Sequence, residues 1–166
     1  MLQNMIHMIK EKNIEDINVS GFIYLEENGM YEFTPMLTFV YVKFGEEYLE
    51  FASIEQYSRL RITIVPSIRH DFELVEDLYP AVSSISDVVL TNPTSLTNMV
   101  SSIKIFSMEE KENEIICDSI LIKLKNEQVL FFDPTFLSGI NIGGIEQYEF
   151  WRIHNEEEKQ EVYIEI

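Results

Sequence analysis

The chain has 166 residues, 46% hydrophobic and 12% aromatic, which is the composition of one globular domain spanning residues 1–166 and excludes a disordered protein. Its 29 acidic and 12 basic residues give a net charge of −17, and a field of that sign repels nucleic-acid phosphates and anionic membranes. The same charge favours encounter with a basic protein partner, although an acidic surface also serves solubility alone.

The N-terminal residues predict a short helix rather than a secretory leader. The segment lacks a basic leader region and a small-residue cleavage site, and the sequence has no run of about 20 apolar residues that could cross a bilayer. We therefore expect a cytoplasmic protein. Four apolar residues recur at helical spacing and predict a helix that ends near Asn13: Leu2, Met5, Ile6 and Ile9.

From Val19 the apolar period changes to two, which predicts an antiparallel meander. Strands are expected at residues 22–25, 37–44, 48–52 and 59–65, with a turn at 27–29 and a hairpin loop at 43–48. Leu60, Ile62 and Ile64 should point inward in the last of these strands, which Pro66 closes.

The next segment predicts helix more than strand. Residues 72–79 suit either a strand or a short helix ended by Pro80, and residues 82–90 have a loose helical spacing. Asn92 can cap a helix that begins at Pro93. The buried stripe of that helix would be Leu96, Met99, Val100 and Ile103.

The C-terminal third is predicted to return to strands. They are expected at residues 115–125, 129–133, 148–153 and 162–166, separated by a charged loop at 108–114, a turn at 126–128 and an acidic turn at 155–161. The chain as a whole predicts an α+β fold, a mostly antiparallel β-sheet of about seven to nine strands with two or three helices packed on it.

The segment 130–144, LFFDPTFLSGINIGG, resembles a ligand loop at first sight. It lacks the Lys and Ser/Thr of a P-loop, the spacing of a dinucleotide fingerprint and the regular acids of a calcium loop. Asp133 and Pro134 are expected to end a strand, and the glycines to permit positive φ at an apolar corner. Contact with a partner or ligand is the alternative. The residues of interest are Asp133, Gly139, Asn141, Gly143 and Gly144.

No catalytic or metal motif stands out, and we expect no cofactor. His7, His70 and His154 lack the spacing of a zinc site. Cys117, the single cysteine, lies among isoleucines and is expected to be a small buried hydrophobe in a reducing compartment. Convergence of these four residues in space stays open. An enzyme or small-ligand binder, with His70 or His154 near an acid and Asp133 in a pocket between sheet and helices, is one alternative function.

In general character, a small, acidic, motif-free domain, the chain resembles bacterial immunity and antitoxin-type inhibitors. The resemblance covers no motif and assigns no residue a role. It implies a non-enzymatic protein that neutralises a basic toxin or nuclease by steric occlusion. A structural or oligomerisation domain is a further alternative. Candidate steering residues are Glu109, Glu110, Glu112, Glu114, Glu156, Glu157 and Glu158, and candidate anchors are Tyr148, Phe150 and Trp151.

Overall fold

Two antiparallel sheets enclose the apolar core in the computed structural model, which describes residues 1–26, 29–70, 77–93, 97–136, 139–155 and 159–166. In chain order the elements are α1 (Leu2–Ile9), β1 (Asp16–Leu25), β2 (Tyr31–Phe44), β3 (Glu47–Ile54), β4 (Arg59–Val65), β5 (Leu78–Ser84), α2 (Ser86–Val89), β6 (Val100–Phe106), β7 (Glu109–Glu110), β8 (Ile115–Cys117), β9 (Ser119–Leu124), β10 (Val129–Phe136), β11 (Gly139–Gly143), α3 (Ile145–His154) and β12 (Glu161–Glu165). The predicted α+β class is confirmed, with twelve strands and three helices among the described residues.

The strands divide unequally between the two sheets. The first sheet has seven strands in the order β5-β1-β2-β3-β4-β8-β7, and the second has five in the order β11-β10-β9-β6-β12. The predicted meander forms the centre of the first sheet, because β1 to β4 pair in sequence order. Leu60 and Ile62 are fully buried, as the alternation of β4 predicts, and Ile64 is partly buried against the core.

The sheets pack face to face through alternate side chains. Phe51 of β3 stacks on Phe132 of β10 with ring centroids 4.5 Å apart and an interplanar angle of 8°. Each fully buried aliphatic or aromatic side chain contributes about 1.5–3 kcal/mol by leaving water. The core includes Val40, Val42, Leu49, Phe51, Leu60 and Ile62 from the first sheet, Ile103, Ile105, Ile120, Ile122, Leu130 and Phe132 from the second, and Met5, Met8 and Ile9 from α1.

The helix predicted from Pro93 to Ile103 is wrong, because its second half is strand β6. Leu96 lies outside the described residues, Met99 forms an isolated bridge with Asn13, and Val100 begins the strand. β6 pairs with β9 on one side and β12 on the other. A strand that is hydrogen-bonded on both edges satisfies all its backbone N–H and C=O groups. This pairing outweighs the helical spacing of the four apolar residues, which is coincidental.

The strand predicted at residues 148–153 is also wrong, because these residues lie in helix α3. Tyr148 and Trp151, three positions apart, face the same way and pack on Phe106 of β6 and Phe131 of β10. α3 therefore covers part of the outer face of the second sheet. Within the described ranges, no helix is both long and apolar enough to span a bilayer.

The single strand predicted at residues 115–125 is two strands in different sheets. β8 belongs to the first sheet and β9 to the second, so the chain crosses between them at Asp118. The Asp118 carboxylate accepts a hydrogen bond from Lys159 at 2.5 Å and lies 3.5 Å from the Arg59 guanidinium. Two cations therefore hold the crossing point.

Asp133 and Pro134 do not end their strand, contrary to expectation. β10 continues to Phe136, with a register shift against β11 between Asp133 and Phe136, which accommodates the missing proline N–H. The Asp133 carboxylate accepts the Thr135 N–H at 2.9 Å. Gly143 and Gly144 do not use the positive φ expected of them: Gly144 is the N-cap of α3 with φ −99°, and a side chain at Gly143 would collide with Gln147.

Smaller differences concern element ends. α1 ends at Ile9 rather than near Asn13, and the charged loop at 108–114 contains the two-residue strand β7. Of the segment 72–79, residues 72–76 lie outside the described residues, and β5 runs through Pro80 at the edge of the first sheet, where proline is tolerated. Only the four residues of α2 are helical in 82–90.

Replacing Gly139 with alanine should destabilise the fold far more than replacing Gly29. Both glycines have positive φ, +115° and +82°, so each alanine bears a backbone cost of about 1–2 kcal/mol. At Gly139 the new methyl would also lie 2.4 Å from the Leu37 backbone of β2, whereas no atom of the described residues lies within 4 Å at Gly29. We expect Gly139→Ala to lower the free energy of unfolding by about 3 kcal/mol or more. Urea denaturation measures both variants, and equal midpoints would contradict the close contact between β11 and β2.

Candidate partner-binding site

Two of the predicted acidic steering residues form ion pairs within the chain while remaining exposed. The Glu109 carboxylate lies 2.5 Å from the Arg59 guanidinium, which joins β7 to β4. Glu110 accepts the backbone N–H of Leu2 at 2.8 Å at the start of α1, and this hydrogen bond lowers the pKa of its carboxyl. The Glu109 and Glu110 side chains are 59% and 41% exposed, so a partner could still reach both carboxylates.

The remaining predicted acids give a mixed result. Glu114 pairs with Lys111 at 2.8 Å across the loop between β7 and β8. Glu112 in the same loop is exposed and lines a shallow cleft beside α1. Residues 156–158, three further predicted steering glutamates, lie outside the described residues. Within the described ranges, Glu109, Glu110 and Glu112 are all exposed, and Glu112 differs from the other two in forming no ion pair.

Of the three predicted aromatic anchors, only Phe150 faces solvent. Tyr148 and Trp151 are 8% and 5% exposed and hold α3 against the second sheet. Phe150 is 58% exposed and stacks on the His154 ring, with centroids 4.1 Å apart. Ile153 beside it is 69% exposed, so the outer side of α3 carries a small apolar surface.

The segment 130–144 contributes the antiparallel strands β10 and β11 to the second sheet. Asp133 is 5% exposed, and the Gln147 side chain donates to its carboxylate at 3.4 Å, which ties α3 to β10. Gly139 lets β11 approach β2, and Asn141 is half-buried within β11. Each of these contacts serves the packing of the fold.

The described residues offer no metal centre, since they contain no group of three or more His, Cys, Asp or Glu side chains able to hold an ion. The histidines lie in separate places: His7 in α1, His70 after β4 and His154 at the end of α3. Cys117 is fully buried in β8, and burial raises the pKa of its thiol. A buried thiol of this kind is unsuited to nucleophilic chemistry.

A buried carboxylate, Glu50, is fully explained by structure. Its side chain is 1% exposed, and the Arg69 guanidinium donates to both of its oxygens at 2.5 and 3.1 Å. Thr63 donates a further hydrogen bond at 3.1 Å, and the Tyr41 hydroxyl donates to the Arg69 carbonyl at 3.0 Å. The network fastens the segment after β4 onto the first sheet, because a buried charge is stable only when paired and hydrogen-bonded.

An aromatic pocket that the sequence did not reveal lies at one end of the first sheet. It has a volume of about 500 Å³ and is lined by Leu25, Tyr31, Asp77 and Tyr79. Leu25 pairs with Tyr31 on β2, and Ile23 pairs with Tyr79 on β5. Since Ile23 and Leu25 lie on the same face of β1, both tyrosines lie on that face, one on each side of β1. We call these four lining residues the tyrosine pocket.

The tyrosine pocket combines exposed rings with a negative charge. Tyr31, Tyr79 and Leu25 are 72%, 60% and 51% exposed, although the fold gains nothing from leaving such side chains in water. Asp77 is exposed with φ +78°, a conformation unusual for a residue other than glycine, and has no ion-pair partner within the described ranges. Aromatic faces beside a carboxylate are the surroundings that a lysine or arginine side chain prefers.

The sequence could have suggested this pocket only through its tyrosines. Residues 22–25 are apolar on both faces, which is typical of a strand buried on both sides. The exposure arises because β1 and β2 continue past the core, a fact of packing rather than of periodicity. Comparison of the chain with protein-family models, with curated proteins and with solved structures gave no match.

Alanine substitutions at Phe150 and Trp151 should distinguish the exposed predicted anchor from the buried one. Trp151→Ala removes a ring buried between α3 and the second sheet, and we expect the free energy of unfolding to fall by about 3–5 kcal/mol. Phe150→Ala removes an exposed ring and should change it by less than about 0.5 kcal/mol. Urea denaturation followed by circular dichroism measures both. Similar losses in the two variants would contradict the orientation of α3.

Cys117 should be protected from thiol reagents in the folded protein. We expect 5,5′-dithiobis(2-nitrobenzoate) to leave it unmodified at pH 8 and to modify it rapidly in guanidinium chloride. Because the folded thiol holds its proton more tightly than the unfolded one, stability should fall as pH rises above the unfolded pKa of about 8.5. Cys117→Val removes this part of the pH dependence of unfolding and serves as the control. Rapid modification of the native protein would overturn the assignment.

Proposed function

We propose that the protein is a non-enzymatic binding protein that holds a basic protein partner by a cationic side chain in the tyrosine pocket. The proposal rests on one observation, the placement of two exposed tyrosine rings and the Asp77 carboxylate around one cavity. This protein would cover part of the surface of the bound partner. The proposed mode of action is therefore steric occlusion, as expected of an immunity-type inhibitor of a toxin or nuclease.

The proposed contact is favourable at short range. A cation over a tyrosine ring contributes about 0.5–2 kcal/mol, and more as water is excluded. Tyr31 and Tyr79 would enclose the aliphatic part of a lysine or arginine while Asp77 pairs with its charge. Tyrosine and arginine are the residues that most often dominate interface energies, which makes this pairing a suitable centre for an interface.

Long-range electrostatics favours the same class of partner. A chain with a net charge of −17 attracts cationic proteins and increases their association rate, an effect that salt weakens. It repels a second copy of itself, which argues against the alternative that the exposed tyrosines serve self-association. The predicted steering glutamates contribute to this overall field even where they are engaged in internal ion pairs.

Capture of the partner from cells of the source organism, at low and high salt, tests the proposal with defined variants. The wild-type chain should retain a basic protein, identified by mass spectrometry, whose dissociation constant rises with salt. Tyr31→Ala with Tyr79→Ala should raise that constant about a hundredfold, in the range of interface hot spots. Asp77→Asn should raise it less and reduce its dependence on salt.

Two control variants make the result specific. Tyr31→Phe keeps the ring and should keep binding, whereas Phe150→Ala tests the apolar surface of α3. If Phe150→Ala weakens binding and the double tyrosine variant does not, the interface lies on α3 and the tyrosine pocket is not the site. Binding that is indifferent to salt, or retention of an acidic partner, would refute the electrostatic part of the proposal.

A further inference from the structure

Another cavity lies beside α3, on the outer face of the second sheet. It is a groove of about 730 Å³, within the range of small-molecule sites. Its floor comes from four adjacent strands of that sheet, β12, β6, β9 and β10, and one wall comes from the start of α3. It shares no lining residue with the tyrosine pocket.

Two lysines lie on the floor of the groove on adjacent strands. Lys104 of β6 pairs across the sheet with Leu121 of β9, and Lys123 of β9 pairs with Ser102 of β6. The two lysines are therefore diagonal neighbours on one face of the sheet, a spacing that long side chains can bridge. The groove therefore contains two ammonium groups, in a chain with 12 basic and 29 acidic residues.

One buried and one exposed tyrosine lie beside Lys104. The Lys104 ammonium lies 5.9 Å from the centre of the Tyr148 ring, and the Arg152 guanidinium lies 5.8 Å from the same ring. Tyr163 of β12 pairs with Lys104 and is 62% exposed. Because Tyr148 is 8% exposed, the ring that a ligand in the groove can contact is that of Tyr163, beside Lys104.

The lysines are only lightly engaged. Lys104 lies 3.1 Å from Glu161, and Lys123 pairs with Glu127. Both glutamates are on the rim, with side chains 45% and 78% exposed. Exposed ion pairs contribute about 0–1 kcal/mol, so an anion that offers better contacts can replace these partners.

We propose that this groove binds a small organic anion that carries an aromatic ring, such as an aryl phosphate, sulfonate or carboxylate. Its charged group would lie between Lys104 and Lys123, and its ring on the exposed ring of Tyr163. A purely inorganic anion would gain only the charge, and a neutral aromatic molecule only the stacking. The combination selects a ligand that has both.

Titration with 1-anilinonaphthalene-8-sulfonate, an aromatic sulfonate whose fluorescence rises on binding, tests the groove directly. The native protein should bind it at one site, and Lys104→Gln with Lys123→Gln should raise the dissociation constant about tenfold or more. Tyr163→Ala should also weaken binding. Lys111→Gln is the matched control, because Lys111 is a paired surface lysine outside the groove, and it should bind as the wild type does.

Competition separates the two halves of the ligand. Phenyl phosphate should displace the dye at lower concentrations than inorganic phosphate or phenol.

Near-UV circular dichroism verifies that each variant keeps its packed aromatic cluster. Because a variant can lose its fold, amide chemical shifts of the wild-type protein provide an independent measurement: phenyl phosphate should move the signals of Gly144 and Ile145, which line the groove. Equal loss of binding in Lys111→Gln, full binding in the double lysine variant, or shifts confined to other regions would each overturn the proposal.

Discussion

The stacking of Phe51 on Phe132 marks the constraint on which the rest of the structure depends, namely that two sheets of unequal size share one apolar interior. The larger sheet cannot be covered along its whole length by the smaller one. β1 is buried in its first half and β2 in its second, and the paired outer halves extend beyond the core. The tyrosine pocket is formed from those outer halves and from β5, so its exposure follows from the mismatch in sheet size.

The same constraint shapes the outer face of the second sheet. Because Ile103 and Ile105 point into the core, Ser102, Lys104 and Phe106 must point outward. A ten-residue helix such as α3 is about 15 Å long and covers only part of that face. α3 covers the end of this face at Phe106. It leaves Lys104 of β6 and Lys123 of β9 beside it, in the groove. The groove is thus the uncovered remainder of a face that a short helix could not fill.

The sequence correctly predicted those elements in which the local residue pattern and the long-range packing favour the same secondary structure. The meander of residues 37–65 has strong strand residues at a period of two, and the structure confirms it. At residues 93–103 an Asn-Pro start and four spaced apolar residues favour a helix locally, but pairing with β9 and β12 decides for β6. At 148–153 aromatic residues favour a strand, yet Tyr148 and Trp151 meet the sheet only as a helical face. The candidate site was beyond prediction, because exposure of Tyr31 and Tyr79 depends on where the core ends.

Charge acts on the two sites at different distances. The field of the net charge of −17 is screened over the Debye length, about 8 Å at physiological ionic strength, and it would attract the proposed cationic partner before contact. The same field opposes any anion approaching the groove. An anion can bind there only through contacts shorter than that length, which Lys104, Lys123 and Tyr163 would supply. The proposed basic partner would therefore be attracted at long range and the proposed small anion selected at short range, at sites on different sheets.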